Sequence, residues 1–276
     1  MILNLDPTFT PLGDNQIEFE KFVFSGGEPH IKLTTLVEEG EKVMITTRIR
    51  SFNDFGFLAC AVDALRRSRV TTIELLLPYF PGARQDRVMV PGEPLTVKVY
   101  ADILNNLNLH KITVFDPHSE VTPAVLNNCK MLANHKFVEK VIADIKEKVV
   151  LVSPDGGALK KIYKVSEYLG GIAVIEGSKK RNVKNGKLEG FKVYEEDLKG
   201  ENCLIVDDIC DGGGTFMGLA QELKKKNVGK LYLAVSHGIF SKGVEALQQH
   251  FSKIYTTDSF RDVENVVQIK LEEILK

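Results

Sequence analysis

Residues 202–226 read NCLIVDDICDGGGTFMGLAQELKKK, and the fold turns on this stretch. Leu204, Ile205 and Val206 form a short apolar run of the kind that makes a buried strand. The run ends in Asp207 and Asp208. Asp211 follows, then Gly212, Gly213, Gly214 and Thr215, after which apolar residues recur at helical spacing. Three consecutive glycines let backbone N–H groups converge into a concave nest without Cβ clashes. The nest opens a helix N-terminus, where unpaired N–H groups and the helix dipole favour an anion. A phosphate is expected there, with Thr215 donating its hydroxyl. The neighbouring carboxylates would repel that phosphate, so they suit hydrogen bonds from sugar hydroxyls beside it. No lysine follows the glycines, which excludes a Walker A loop. The glycines are consecutive and preceded by acids, which excludes the dinucleotide fingerprint.

Strand–turn–helix alternation extends outward from this stretch. KVVLVSPD, GIAVIEG, KLYLAVSHG and KIYTTDS read as strands, with ALKKIYKVSEYLG, TFMGLAQELKKKN and KGVEALQQHF as helices. Toward the N-terminus LNL, HIKLTTL, KVMITT, TIELLLPYF and KITVFDPH read as strands, and DFGFLACAVDALRRS and LTVKVYADILNNLN as helices. Apolar strands alternating with amphipathic helices predict an α/β fold of mainly parallel sheets flanked by helices. The 276 residues suit two domains rather than one core. The boundary is expected in the polar stretch NNCKMLANHKFVEKV, giving residues 1–137 and 138–276.

A hydrophobic content of 43% with 26% charged residues is that of a globular protein. The net charge of -1 gives no electrostatic case for nucleic-acid or membrane binding. Cys60, Cys129, Cys203 and Cys210 form no CxxC pair, and reduced thiols in a cytoplasmic protein are expected. The opening MILNLDPTFTPLGDN lacks a basic segment followed by an apolar one, so no signal peptide is expected. No apolar run approaches the ~20 residues a spanning helix needs.

LIVDDICDGGGT resembles the sugar-phosphate loop of phosphoribosyltransferase-fold proteins. PYFPGARQDR is the more specific segment, and it resembles a motif of the ribose-phosphate pyrophosphokinases. FSGGE, VDALRR, DPHSE, VSPDGG, SHGIFS and TTDS match that family in order, from about Phe24 to Ser259. The resemblance implies two phosphoribosyltransferase-like domains, the first on the ATP side and the second carrying the sugar-phosphate loop. It implies ATP as co-substrate, Mg²⁺ as cofactor and a ribose 5-phosphate-like acceptor. The acceptor's C1 hydroxyl would attack the β-phosphorus of ATP, giving PRPP and AMP. A homo-oligomer, dimer or hexamer, is also implied.

By the same resemblance Phe24 would stack on the adenine and Glu28 accept from its amine, both from a neighbouring subunit. Arg84, Gln85 and Arg87 would bind the nucleotide phosphates, where planar guanidinium donors match phosphate oxygens. His118 would be a ligand to the ATP-bound magnesium, and Asp155 the carboxylate at a second magnesium. Asp207, Asp208, Asp211, Gly212, Gly213, Gly214 and Thr215 would form the sugar-phosphate site. Lys179 and Arg181, in SKKRN, would be catalytic, meeting charge that develops on the moving phosphoryl group.

Two matched motifs depart from the family. FSGGE has Gly26 where relatives usually carry an aspartate, and DGGGT has Gly212 where they carry a threonine. Gly212 lacks a hydroxyl and Cβ bulk, which would open the phosphate site toward a 5-substituted acceptor such as ADP-ribose. A non-catalytic regulatory homologue is a further alternative. A transferase that consumes PRPP is disfavoured by ARQDR and DPHSE, since it needs no triphosphate site.

Overall fold

The structure is a computed structural model that describes residues 1–181 and 188–276, with the backbone alone at 179–181, 188 and 189. The described chain forms two compact units, Met1–Ala133 with Leu271–Lys276, and Asn134–Lys270.

The first unit runs β1 (Ile2–Asn4), β2 (Phe19–Val23), β3 (Pro29–Leu33), β4 (Lys42–Thr46), α1 (Phe52–Arg67), β5 (Thr72–Leu76), α2 (Thr96–Asn106), β6 (Lys111–Phe115), α3 (Val121–Val125) and β7 (Cys129–Leu132). Its five-stranded sheet has the order β1-β4-β5-β6-β7, and every neighbouring pair is parallel. β2 and β3 pair apart from it as an antiparallel hairpin. α1 shows why these sequences form helices. Ser51 and Asp54 close a capping box at its start, and Phe55, Leu58, Ala61, Val62 and Leu65 bury one face. In β6 the last four residues are all buried, as expected for a strand covered on both sides.

The second unit runs α4 (His135–Ile145), β8 (Val150–Ser153), α5 (Leu159–Tyr168), β9 (Val174–Arg181), β10 (Leu188–Val193), β11 (Cys203–Cys210), α6 (Gly214–Lys225), β12 (Leu231–Gly238), α7 (Glu245–Gln248), β13 (Lys253–Thr257) and β14 (Val267–Ile269). Its seven-stranded sheet has the order β10-β9-β8-β11-β12-β13-β14. β9–β10 is antiparallel and the remaining pairs are parallel. β11 is the central strand. From β8 the chain departs to β9 on one side, whereas β11 lies on the other. The connections therefore diverge between β8 and β11, where an open α/β sheet leaves a crevice beyond the strands' carboxyl ends.

The predicted α/β class is the observed one. Sequence pattern overlooked β2, β7, β10 and β14, all short and either exposed or at a sheet edge. The helix expected across KGVEALQQHF shrinks to α7. Gly243 at φ +75° holds a turn there, closed by its N–H donating to the Phe240 carbonyl at 3.0 Å. Among the described residues no helix is long and apolar enough to cross a membrane. All four cysteines are free thiols.

Candidate active site

In the second unit the acids of LIVDDIC continue the central strand, which runs to Cys210, instead of beginning the loop. Asp207 Oδ1 accepts the Asp208 N–H at 2.9 Å. Burial pushes the Asp207 carboxyl well above the usual carboxylate range, and the adjacent Asp208 and the nearby Asp155 push it the same way. Three carboxylates thus gather at the divergence of β8 and β11, and without a bound cation or hydroxyl they do not all hold charge. Asp155 follows β8. Its Oδ1 accepts from the N–H groups of Gly157 at 2.9 Å and Ala158 at 3.1 Å, which fixes the loop.

Of the three glycines, Gly213 is the one whose backbone is left-handed. Gly213 is the N-cap of α6 at φ +75°, and a Cβ there would lie 3.1 Å from Leu247. Left-handed backbone and close packing both call for glycine. Thr215 stands in the first turn, and its hydroxyl makes no hydrogen bond among the described residues. A second loop clasps the nest from the side. Ile239 and Phe240 donate N–H groups to the Cys210 carbonyl at 2.9 and 3.0 Å, and Ser241 donates to the Asp211 carbonyl at 3.1 Å. The Ser241 hydroxyl donates to Asp211 Oδ1 at 2.6 Å. Lys242 borders the space beside Gly212: a Cβ there would meet its Cδ, Cε and Cγ at 3.5, 3.6 and 3.9 Å.

Behind these loops, His237 Nδ1 and Ser259 Oγ lie 2.7 Å apart in the interior. Ser259 Oγ already donates to the Ser236 carbonyl at 3.0 Å, so Nδ1 is the donor to Ser259. This buried link ties the ends of β12 and β13 together.

The Lys179 and Arg181 side chains lie outside the described residues. The hairpin that carries them is anchored, however. A Cβ on Gly218 of α6 would fall 2.2 Å from the Phe191 ring of β10, so that ring lies directly on the helix. A Cβ on Gly177 of β9 would fall 2.7 Å from the Ser153 carbonyl. The glycines let the hairpin lie close over α6 and β8.

In the first unit Arg84, Gln85 and Arg87 are exposed in the loop after β5, and His118 is half-buried in the loop after β6. Asp86 joins these loops and is only 8% exposed. Burial alone would raise its carboxyl, but hydrogen bonds from Ser119 and Arg87 and the charges of Arg87 and His118 outweigh this and hold it below the usual range. Sequence reading passed over Asp86. The available signal was an acid between two arginines just after buried Phe80 and Ala83. Phe24 is 53% exposed at the tip of the β2–β3 hairpin, within 4.9 Å of Phe22 and 5.5 Å of His30 between ring centroids. Gly26 does not leave its place empty of charge, because a Cβ there would lie 2.6 Å from both Glu28 carboxylate oxygens.

Parallel sheets flanked by helices, with acids and a glycine nest at a central strand's carboxyl end, define a phosphoribosyltransferase-type protein. The phosphoribosyl transferase domain pattern matches residues 122–273, and that of the N-terminal domain of ribose phosphate pyrophosphokinase matches residues 10–107. The chain is 32% identical over 227 residues to a ribose-phosphate pyrophosphokinase of Mycoplasma genitalium, covering 80% of this chain and 67% of that one. It is 30% identical over 271 residues to that of Thermococcus kodakarensis, covering 96% and 93%. The solved phosphoribosylpyrophosphate synthetase of Mycobacterium smegmatis shares the fold, with a TM-score of 0.81 and 22% identity over 94% of this chain and 88% of that one. The chain belongs to the ribose-phosphate pyrophosphokinase family and is an enzyme of the diphosphotransferase type.

Proposed function

We propose that this enzyme transfers the β,γ-pyrophosphate of ATP to the C1 hydroxyl of ribose 5-phosphate, giving PRPP and AMP. The observation that carries the reading is the placement of Asp155, Asp207 and Asp208 with the glycine nest where β8 and β11 diverge. One bond forms between the C1 oxygen and the β-phosphorus. The bond from that phosphorus to the α,β-bridging oxygen breaks, and the hydroxyl proton leaves to solvent.

Asp207 and Asp208 accept hydrogen bonds from ribose hydroxyls, donors that favour the charged form of these crowded carboxylates. N–H groups of residues 211–215 and the Thr215 hydroxyl hold the 5-phosphate. Arg84, Gln85 and Arg87 bind the ATP phosphates, with Asp86 fixing their loop against that of His118. Phe24 and Glu28 meet the adenine from a neighbouring subunit of a homo-oligomer, dimer or hexamer. Lys179 and Arg181 meet charge that develops at the β-phosphoryl group.

Mg²⁺ fits the carboxylate chemistry of Asp155 in the second unit, and His118 in the first unit would serve a separate Mg²⁺ carried by ATP. Among the described residues no cluster of three His, Cys, Asp or Glu is placed to hold a metal, and Mg²⁺ shared with substrate phosphates needs none. Bound there, Mg²⁺ would offset negative charge on the substrate phosphates. We assign residues 1–137 to the ATP side and 138–276 to the acceptor side, in a cytoplasmic enzyme.

The test incubates purified protein with ATP, Mg²⁺ and ribose 5-phosphate and reads product masses. PRPP and AMP in equal amounts are expected; ADP in place of AMP, or no turnover, would overturn the proposal.

A further inference from the structure

Gly212 and Lys242 form a pair. The Lys242 stem lies against the face of Gly212 that any other residue would fill with its side chain. A Cβ at 212 would touch that stem at ordinary van der Waals distance, and a larger side chain would compete with it for the same face. Glycine at 212 leaves that face to the Lys242 stem. The ammonium lies one bond past Cε, within about 5 Å of the Gly212 Cβ position. It makes no hydrogen bond or ion pair among the described residues.

The backbone around Lys242 is not loose. Three N–H groups of residues 239–241 reach Cys210 and Asp211, the Ser241 hydroxyl holds Asp211, and Arg261 donates to the Phe240 carbonyl at 3.0 Å. Phe240 is buried and held at φ +44°. A strained buried residue and several hydrogen bonds deliver one unpaired cation to the rim of an anion nest.

We propose that Lys242 is a specificity-determining residue that selects an acceptor ending in a phosphate monoester. This rests on reading the nest as the acceptor's phosphate site. A lysine acts as a point charge on a flexible stem, so it responds to the charge on the phosphate more than to its shape. A monoester carries nearly two negative charges at neutral pH, whereas a substituted phosphate carries one. The stem also borders the Gly212 face of the nest. A polar contact absent at residue 212 is thus replaced by a charge from residue 242.

The test uses the full chain, with ribose 5-phosphate and its 5-methyl ester as probes. The parent should prefer the monoester at least tenfold in kcat/KM. Lys242→Met should raise KM for ribose 5-phosphate at least tenfold with kcat changed less than threefold, while kcat/KM for the methyl ester changes less than threefold. Lys242→Arg should restore most of the loss. Calorimetric binding of ribose 5-phosphate without ATP should show the same tenfold weakening in Lys242→Met. Equal losses for both probes, or no loss for either, would overturn the assignment to Lys242. A parent that binds ribose 5-phosphate with this dependence yet makes no PRPP would refute the proposed reaction and leave Lys242 in place. A parent that does not bind ribose 5-phosphate would overturn both.

Discussion

Asp207 turns its Oδ1 back onto the N–H of Asp208 at 2.9 Å, so two consecutive acids of one strand share an anchored geometry. Burial, then Asp208 and Asp155, raise the Asp207 carboxyl well above its ordinary value of 3.8. A raised carboxyl in the folded state stabilises the fold fully below the ordinary value, and that contribution is lost as pH rises through the raised one. Asp207→Asn, which keeps the shape and removes the charge, should therefore unfold at a higher temperature than the parent near pH 8. The difference should shrink toward pH 4. If Asp207 accepts from the sugar hydroxyls, the same variant should also raise KM for ribose 5-phosphate roughly tenfold. Calorimetric melting with a KM series checks both.

Asp86 links two loops that chain order separates by about thirty residues. Asp86→Ala should free Arg84, Gln85 and Arg87 from the loop of His118. KM for ATP should rise at least tenfold, with KM for the acceptor changed less than twofold. Asp63→Ala serves as control, since its ion pair with Arg67 is exposed and worth little. Equal effects of the two substitutions would show that Asp86 does not organise the site.

Much of this architecture was legible because both sheets, parallel apart from β9–β10, are built mainly of apolar strands ended by polar turns. The glycine nest was legible because three glycines at a strand–helix junction have few other uses. Asp86, Ser241 and Lys242 were not, because each acts on a loop distant in sequence. Lys242 in particular reads as an ordinary surface lysine until Gly212 is seen beneath it. β7 hid inside NNCKMLANHKFVEKV because an edge strand need not alternate or be strongly apolar. Phe191 against Gly218 likewise needs the folded sheet to become visible.

Lys179 and Arg181 belong to a hairpin whose base rests on α6. If they stabilise charge only as the phosphoryl group moves, either alanine variant should lose about a hundredfold in kcat with KM little changed. The double variant should lose little more than the worse single one if they act as a unit. Near-normal turnover in the double variant would remove both from the chemistry.

Arg48 and Asp6 test the fold apart from the chemistry. Both are buried, with Nε to Oδ2 at 2.7 Å, and Phe9 lies under the guanidinium at 5.1 Å from its ring centroid. Burial alone would raise the Asp6 carboxyl, but the hydrogen bond and charge of Arg48, with Thr8, lower it. A lowered carboxyl stabilises above its ordinary value of 3.8, and that part is lost as pH falls through the folded value. Arg48→Met should cost up to about 3–5 kcal/mol at neutral pH, because it leaves the buried Asp6 only its longer contact to Arg50 at 3.4 Å. Below about pH 4 the cost should diminish, which urea melts at two pH values would show.

The β2–β3 hairpin offers the last prediction, on nucleotide choice. Phe24 donates its N–H to the Glu28 carbonyl at 2.9 Å, and Gly27 donates to the Phe24 carbonyl at 2.8 Å, closing a tight turn. Above that turn the Glu28 carboxylate fills the space at Gly26 that a side chain would need. An aspartate at 26 would place a second carboxylate against the first and drive Glu28 away from its position over Gly26. If Glu28 reads the exocyclic amine of adenine, Glu28→Ala should lower the ratio of kcat/KM for ATP over GTP roughly tenfold, the value of one hydrogen bond to a charged acceptor. Gly26→Asp should shift the ratio the same way by a smaller factor, because the carboxylate is displaced and not deleted. Phe24→Leu should raise KM for both nucleotides together, since stacking does not distinguish one purine from the other. A Glu28→Ala variant with an unchanged ATP to GTP ratio would assign base selection to other residues.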